Sequence, residues 1–489
     1  MCHKILNYHF MLSLLIQLFL WVTIINGQFI PGPRSGHTAT LIGDKIYFIG
    51  GYNFSISPKE SDVFYYDGNK LAWVEVNSQV SGQDADMPFQ LGHTANIGGL
   101  KQDLIFFIGG GRFPIIYQLD TKTNKITSPI ILGDFPSRDN LMFMSSVSSY
   151  EGKIYLFGGG KIETDIITLY NNHYIFNTNN LNWEDGSLVG APPARYKHTA
   201  TLVNEIIYYI GGIQINNSYV SYPSMSDIYR YSTISNTWSL EVVTLAPGNT
   251  PGRRLGHSAV LVEGKICIFG GSFNNSSPTE PIAMLDTSTL EWSIPHFKNP
   301  RRPNMPTLPN LVYHTATLID KRMLVAFGND TDNPVNGYKG LNNNFYIFDF
   351  NNNEWYITTA DELTNPSSNI PKLFSSSTSA GISSNRSAII GSSVGIVLGV
   401  LVLIVGILIF VYYRRKKNQS KGDVGYLADD SNISYDKFSF SQRSTLYLSQ
   451  PSMQCQFTPE QSWVELNNQV SGQGADMPPK LGHTANVGG

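Results

Sequence analysis

One short motif returns six times along the chain and limits every other reading: an apolar run, rich in β-branched and aromatic residues, that ends in paired glycines. The units read KIYFIGG (Gly50 and Gly51), LIFFIGG (Gly109 and Gly110), KIYLFGG (Gly158 and Gly159), IIYYIGG (Gly211 and Gly212) and KICIFGG (Gly270 and Gly271). A degenerate sixth, MLVAFGN, carries Gly328 and Asn329. With first glycines at 50, 109, 158, 211, 270 and 328, the spacings are 59, 49, 53, 59 and 58. Ahead of the glycines comes a Gly-His-Thr-Ala-like run with His37, His93, His198, His257 and His314, and the third unit has Met144-Ser145 in its place. Behind them comes a run such as VFYYD or FYIFDF, then a polar turn and Trp73, Trp183, Trp238, Trp292 or Trp355. The second unit has Ile126 where the others have Trp.

Each unit therefore holds four short strands bounded by Gly, Asn and Pro. Such a unit cannot bury both faces alone, so neighbours must stack, and radial stacking of four-stranded sheets gives a β-propeller. The paired glycines, the aromatic before them and the spaced Trp resemble kelch repeats over roughly residues 34–358. The resemblance implies an all-β fold with a six-bladed kelch propeller, like those of attractin- and muskelin-type proteins and of the central domain of galactose oxidase. Residues 28–34 are expected to add a strand to the last blade.

Five histidines at one repeat position suggest a metal cluster, but a ligand set need not reappear in every unit, so a structural role is the expectation. The glycines permit the backbone turn that leaves the second strand, and the aromatics fill the space between units. The resemblance also raises a second reading, a copper-radical oxidase, in which a Tyr is joined to a Cys and copper is held by Tyr and His. Cys267 is the single cysteine of the repeat region, with Cys2 and Cys455 far outside it. It stands in a strand position held elsewhere by Tyr47, Phe106, Tyr155 and Tyr208, so it is expected to pack as a small core residue. No catalytic residues, cofactor or metal ligands are assigned, and the chain is not expected to be an enzyme.

Two apolar segments flank the repeats. Residues 1–27 have Lys4, an apolar stretch from Phe10 to Ile25 and a small residue at Gly27, the pattern of a secretory signal peptide. Residues 388–413 are uncharged and are followed by Arg414-Arg415-Lys416-Lys417, the pattern of one transmembrane helix with its basic flank in the cytoplasm. This places the N-terminal side outside the cell membrane. Gly391, Gly395 and Gly399 line one face of that helix and suggest weak homodimerisation. The net charge of −3, from 34 basic and 37 acidic residues, opposes nucleic-acid binding.

In a four-stranded meander the long second-to-third loops and the connections between units share one face, which is the expected recognition surface for an extracellular protein or glycan ligand. The sequons at Asn53, Asn216, Asn274, Asn275 and Asn329 follow the glycines on that face, and Asn385 lies further on. A Ser/Asn/Thr-rich linker, 359–387, is expected to leave from the same face and to be flexible. The cytoplasmic tail, 414–489, has a disordered composition, with Tyr426, Tyr435 and Tyr447 as candidate modification sites. Its end, residues 463–489, repeats residues 73–99 at 21 of 27 positions. That fragment carries one unit's last strand and the next unit's first, without their partners, so it cannot form a blade.

Overall fold

The second strands of the repeats, among them Lys45–Ile49, Leu104–Ile108 and Lys153–Phe157, are buried along almost their whole length. A strand buried on both faces must lie inside a stack of sheets. The structure, a computed structural model, describes residues 29–374 except 53–62, 78, 82–90, 111–115, 133–140, 164–165, 217–218, 244–250, 302–307, 336–337 and 367–369. The segments 1–27 and 388–413, the tail with its duplicate 463–489, Asn53, Asn385 and the glycines at 391, 395 and 399 lie outside the described residues. Among the described residues, no helix is long and apolar enough to cross a membrane.

Six four-stranded antiparallel sheets cover residues 38–76, 94–127, 145–185, 199–242, 258–293 and 315–359, here sheets 1 to 6. Each is a meander of consecutive main strands. The first strands meet in cyclic order, Thr38–Ile42 lying against Thr94–Gly98 on one side and Thr315–Ile319 on the other. The arrangement is a β-propeller.

Alternate residues of each second strand serve different neighbours. Ile46 and Phe48 of sheet 1 pack with Leu324 and Ala326 of sheet 6. Tyr47 and Ile49, on the other face, pack with Ile105 and Phe107 of sheet 2. Phe106 and Ile108 then meet Ile154 and Leu156, and Tyr155 and Phe157 meet Ile207 and Tyr209. Tyr208 and Ile210 meet Ile266 and Ile268, and Cys267 and Phe269 meet Met323 and Val325. The two-residue period of a strand thus carries the apolar core around the ring. Cys267 fills its interface as a fully buried free thiol, and burial pushes its pKa up.

Four of the second glycines, all in the left-handed region, donate their N–H toward the next sheet: Gly110 to Leu141 O, Gly159 to Arg195 O, Gly212 to Arg254 O and Gly271 to Leu311 O, at 2.8–3.2 Å. At Gly212, with φ of 91°, a Cβ would lie 2.7 Å from Tyr196 O, so only glycine fits. Strand pairing corrects the register of the sixth unit. Ala326 pairs with Thr315 as Ile49 pairs with Thr38, so Phe327 stands at the first-glycine position and Gly328 at the second. Gly328 N then donates to Arg34 O at 2.8 Å and joins sheet 6 to sheet 1.

The closing interface differs from expectation in two ways. Residues 29–34 form no strand, and sheet 6 takes all four of its strands from 315–359. Phe29 instead packs on Phe64 within the interface between sheets 6 and 1. The expected linker also begins later than residue 359. Thr359 caps a short helix, Ala360–Thr364, through a reciprocal pair with Glu362. Leu363, Ile370 and Leu373 are buried in the closing interface. Trp73 Nε1 donates to Ala360 O at 2.9 Å, Tyr66 Oη to Leu363 O at 2.8 Å, and Arg322 Nη1 to Lys372 O at 3.0 Å. Phe374 ends this strap against Gly68, in the third-to-fourth turn of sheet 1. The strap therefore carries the chain to the short-turn face, away from the long connections. Leu363→Ala and Leu373→Ala are each expected to cost about 2–4 kcal/mol, whereas Leu100→Ala at an exposed turn should stay within about 0.5 kcal/mol, as read from urea unfolding midpoints.

Candidate functional site

The residue just before each first-strand histidine position turns the chain into the ring centre, and all six take left-handed backbone: Gly36, Gly92, Phe143, Lys197, Gly256 and Tyr313, with φ from 55° to 67°. Their peptides form a closed belt. Gly36 N donates to Tyr313 O, Gly92 N to Gly36 O, Phe143 N to Gly92 O, Lys197 N to Phe143 O, Gly256 N to Lys197 O and Tyr313 N to Gly256 O, at 2.6–3.1 Å. The belt surrounds a cavity of about 130 Å³, lined by these six residues and the six that follow them.

Glycine adopts this backbone freely, and other residues adopt it at a cost of roughly 1 kcal/mol. Sheets 3, 4 and 6 nevertheless carry Phe143, Lys197 and Tyr313 there. Lys197 Nζ donates to Tyr313 Oη at 2.7 Å and lies 4.8–5.2 Å from the ring centres of Tyr196, Phe143 and Tyr313. The Phe143 and Tyr313 rings are 5.7 Å apart. The Tyr313 ring is half-exposed while its hydroxyl is enclosed, and burial holds the phenol pKa well above its ordinary value. One side of the mouth is thus an aromatic wall around an ammonium group. Such a wall offers aromatic area to an incoming group, while the Lys197 ammonium is itself buried against the rings.

The same three sheets carry extra hairpins on their second-to-third connections. Gly160–Glu163 pairs with Ile166–Leu169, Ile213–Asn216 with Tyr219–Ser221, and Asn329–Val335 with Tyr338–Leu341. The long connections of sheets 4 and 6 are therefore ordered strands rather than irregular loops. Tyr196, Ile213, Tyr222, Leu255 and Val312 form an apolar cluster beneath them, with Phe143, Leu169 and Tyr313 packed against it.

The repeated histidines point between sheets. Hydrogen bonds join His37 Nε2 to Thr315 Oγ1, His93 to Thr38, His198 to Ser145, His257 to Thr199 and His314 to Ser258, at 2.6–3.1 Å. Each ties a first strand to the hydroxyl of the preceding sheet. Where Met144 replaces histidine, the corresponding Thr94 Oγ1 is buried without a partner. Burial pulls the imidazole pKa of His37, His198 and His257 well below the ordinary 6.5, with nearby Arg34, Arg195 and Arg254 adding to the shift. His314 is lowered to about 3 by burial. These four rings are neutral ties between sheets. Among the described residues, no three His, Cys, Asp or Glu side chains converge as a metal site.

The tryptophans act similarly at the outer strands. Trp238 Nε1 donates to Ser187 O at 2.7 Å and Trp292 Nε1 to Met225 O at 2.8 Å, each reaching the preceding unit. Trp355 is buried beside Tyr346, Trp183 lies beside Phe176, and Ile126 is fully buried opposite Leu119. Of the sequons, Asn274 is exposed and Asn275 half-buried, Asn329 is 9% exposed with Thr331 bonded to Asn310, and Asn216 lies in a hairpin strand.

Residues 36–247 and 197–399 match the KLHDC2/KLHL20/DRC7 Kelch-repeats domain. The chain belongs to the kelch-repeat family. It is 28% identical to Kelch domain-containing protein 3 of Homo sapiens over 273 residues, 51% of this chain and 66% of that protein. It is 25% identical to Kelch domain-containing protein 10 of Mus musculus over 294 residues, 55% and 62% of the two chains. The Rho GTPase-activating protein gacHH of Dictyostelium discoideum is 34% identical over 157 residues, 30% of this chain and 10% of that one. The match to the first two proteins thus spans just under two thirds of their length.

Thr199→Val is expected to destabilise the kelch domain by about 1–3 kcal/mol, because it leaves His257 Nε2 buried without a partner, whereas Thr94→Val should be neutral or stabilising. Denaturant titration of the two variants checks this. The histidines also set an acid limit. The folded pKa values of His37, His198, His257 and His314 lie below 6.5, so between the folded and unfolded values the unfolded chain binds more protons and stability falls as pH drops. Unfolding midpoints should be level from pH 8 to 7. They should then decline from pH 6 toward 4, by up to about 1.4 kcal/mol per unit for each histidine. His314→Asn should flatten that decline.

Proposed function

We propose that this chain is a cell-surface, single-pass membrane protein whose six-bladed kelch propeller binds a protein partner, without catalysis, at the mouth framed by Phe143, Lys197 and Tyr313. The observation that carries the reading is the placement of three non-glycine residues on left-handed backbone where the belt itself needs only glycine. Backbone held in a costly conformation at a concave site is a mark of function rather than of packing. Rigid sheets that carry varied connections around a central mouth are suited to recognition. The sequence of 388–413 with its basic flank supports the single span, and the pattern of 1–27 supports entry to the secretory pathway. Asn274, exposed in the turn after Gly271, is the best placed glycan acceptor of the described sequons.

The oxidase reading gains nothing from Cys267. Its thiol lies in an apolar interface between Phe269, Met323 and Val325 and is held protonated by burial, whereas the mouth is lined by other residues. A mixture of cell-surface and secreted proteins passed over the immobilised full chain tests the binding reading. The combined change Phe143→Gly, Lys197→Gly and Tyr313→Gly keeps backbone that glycine favours. It should lower partner capture at least tenfold while the folded protein persists by circular dichroism. Capture of the same partners at undiminished yield would show that the mouth is not the binding site.

A further inference from the structure

Three of the most exposed apolar side chains stand at the turn ends of three consecutive sheets: Leu100 at 84%, Tyr150 at 98% and Ile234 at 80% exposure. Leu100 and Tyr150 sit in the first-to-second turns of sheets 2 and 3, and Ile234 in the third-to-fourth turn of sheet 4. The first two turns are tied together. Gly99 N donates to Thr178 Oγ1 at 2.8 Å, Thr178 Oγ1 donates to Gly152 O at 2.6 Å, and Asn179 Nδ2 donates to Glu151 O at 2.9 Å. This end of the propeller is opposite the mouth, since each first strand begins beside the belt and runs down to its turn.

The strap 360–374 delivers the chain to the same end, where Lys372 O meets Arg322 and Phe374 meets Gly68. Thirteen residues, 375–387, then separate it from the apolar stretch that starts at Ala388. At up to ~3.5 Å per residue they reach at most about 45 Å. Charges of both signs stand on this face, with Lys122 paired to Asp103, Lys70 to Asp67 and Lys321 to Glu263, and with Lys101, Glu151 and Glu205 exposed at the turns. A protruding Leu, Ile and Tyr among charges of both signs suit the headgroup zone of a zwitterionic bilayer, where tyrosine places its ring in the apolar layer and its hydroxyl in water.

We propose that the short-turn face is a lipid-contacting surface, with Leu100, Tyr150 and Ile234 entering the headgroup zone and the mouth directed away from the bilayer. The proposal rests on the single-pass reading above. The test uses the full chain carrying Cys455→Ser, reconstituted in phosphatidylcholine vesicles containing doxyl-labelled phosphatidylcholine. An environment-sensitive fluorophore is attached at Tyr150→Cys or, on the mouth face, at Asn274→Cys. The expected result is quenching several-fold stronger at 150 than at 274, unchanged by high salt and reduced by Leu100→Ser with Ile234→Ser. Equal quenching at the two positions, or stronger quenching at 274, overturns it. An alkaline wash of the same vesicles separates the two ideas. Loss of the chain from the vesicles removes the single-pass reading and the lipid contact with it, whereas retention without quenching at 150 removes the lipid contact alone.

Discussion

The belt of six peptide hydrogen bonds around the centre is the constraint on which the rest of this molecule depends. Each belt residue donates to one neighbour and accepts from the other, so the chain of bonds ends only when Gly36 meets Tyr313, residues separated by almost the whole repeat region. A cycle of this kind gives no sheet an independent existence. Removing one breaks two apolar interfaces, two belt bonds and the donation from a second glycine. The belt also imposes left-handed backbone on six positions at once, which aims whatever side chain stands there into the mouth.

Around that belt, neighbouring sheets are joined by ties that repeat at three radii. Imidazole–hydroxyl pairs lie innermost, the alternating apolar faces of the second strands lie in the middle, and indole N–H groups reach backbone carbonyls at the rim. With Cys267 alone among the described cysteines and buried as a free thiol, these ties and the packing between sheets hold the ring. The apolar faces supply most of the stabilisation, because each second strand is removed from water on both sides. The polar ties add less to stability and more to register. A one-residue slip of a first strand would move its histidine away from the neighbouring hydroxyl and send its apolar residues to the wrong interface.

What the sequence disclosed follows from what repeats. Six glycine-marked runs with strand-like composition were enough to read an all-β ring, because every unit solves the same packing problem and so writes the same letters. The single departures were harder to place. Phe327 occupies a left-handed position with φ of 58° that the other units fill with glycine, and only strand pairing reveals that Gly328 is the second glycine rather than the first. The strap 360–374 has only Leu363, Ile370 and Leu373 as buried large apolar residues among the described ones, and most of its partners are on sheet 1, some three hundred residues earlier. No local periodicity records a contact of that span. The mouth residues could have been found by asking which side chain precedes each repeated histidine position, since three of six are not glycine.

Those three exceptions are not scattered. Sheets 3, 4 and 6, which bear Phe143, Lys197 and Tyr313, are also the sheets whose second-to-third connections fold into hairpins among the described residues. A bulky side chain on strained backbone needs support from outside the belt, and the hairpins provide it through the cluster of Tyr196, Ile213, Tyr222, Leu255 and Val312. Sheet 5 has Gly256 at its belt position and no long hairpin after Gly271, so it adds no bulky belt side chain to the mouth. The ring therefore divides its work unevenly. Symmetry, enforced by the belt, maintains the fold, and recognition is concentrated where that symmetry is broken and the break is buttressed.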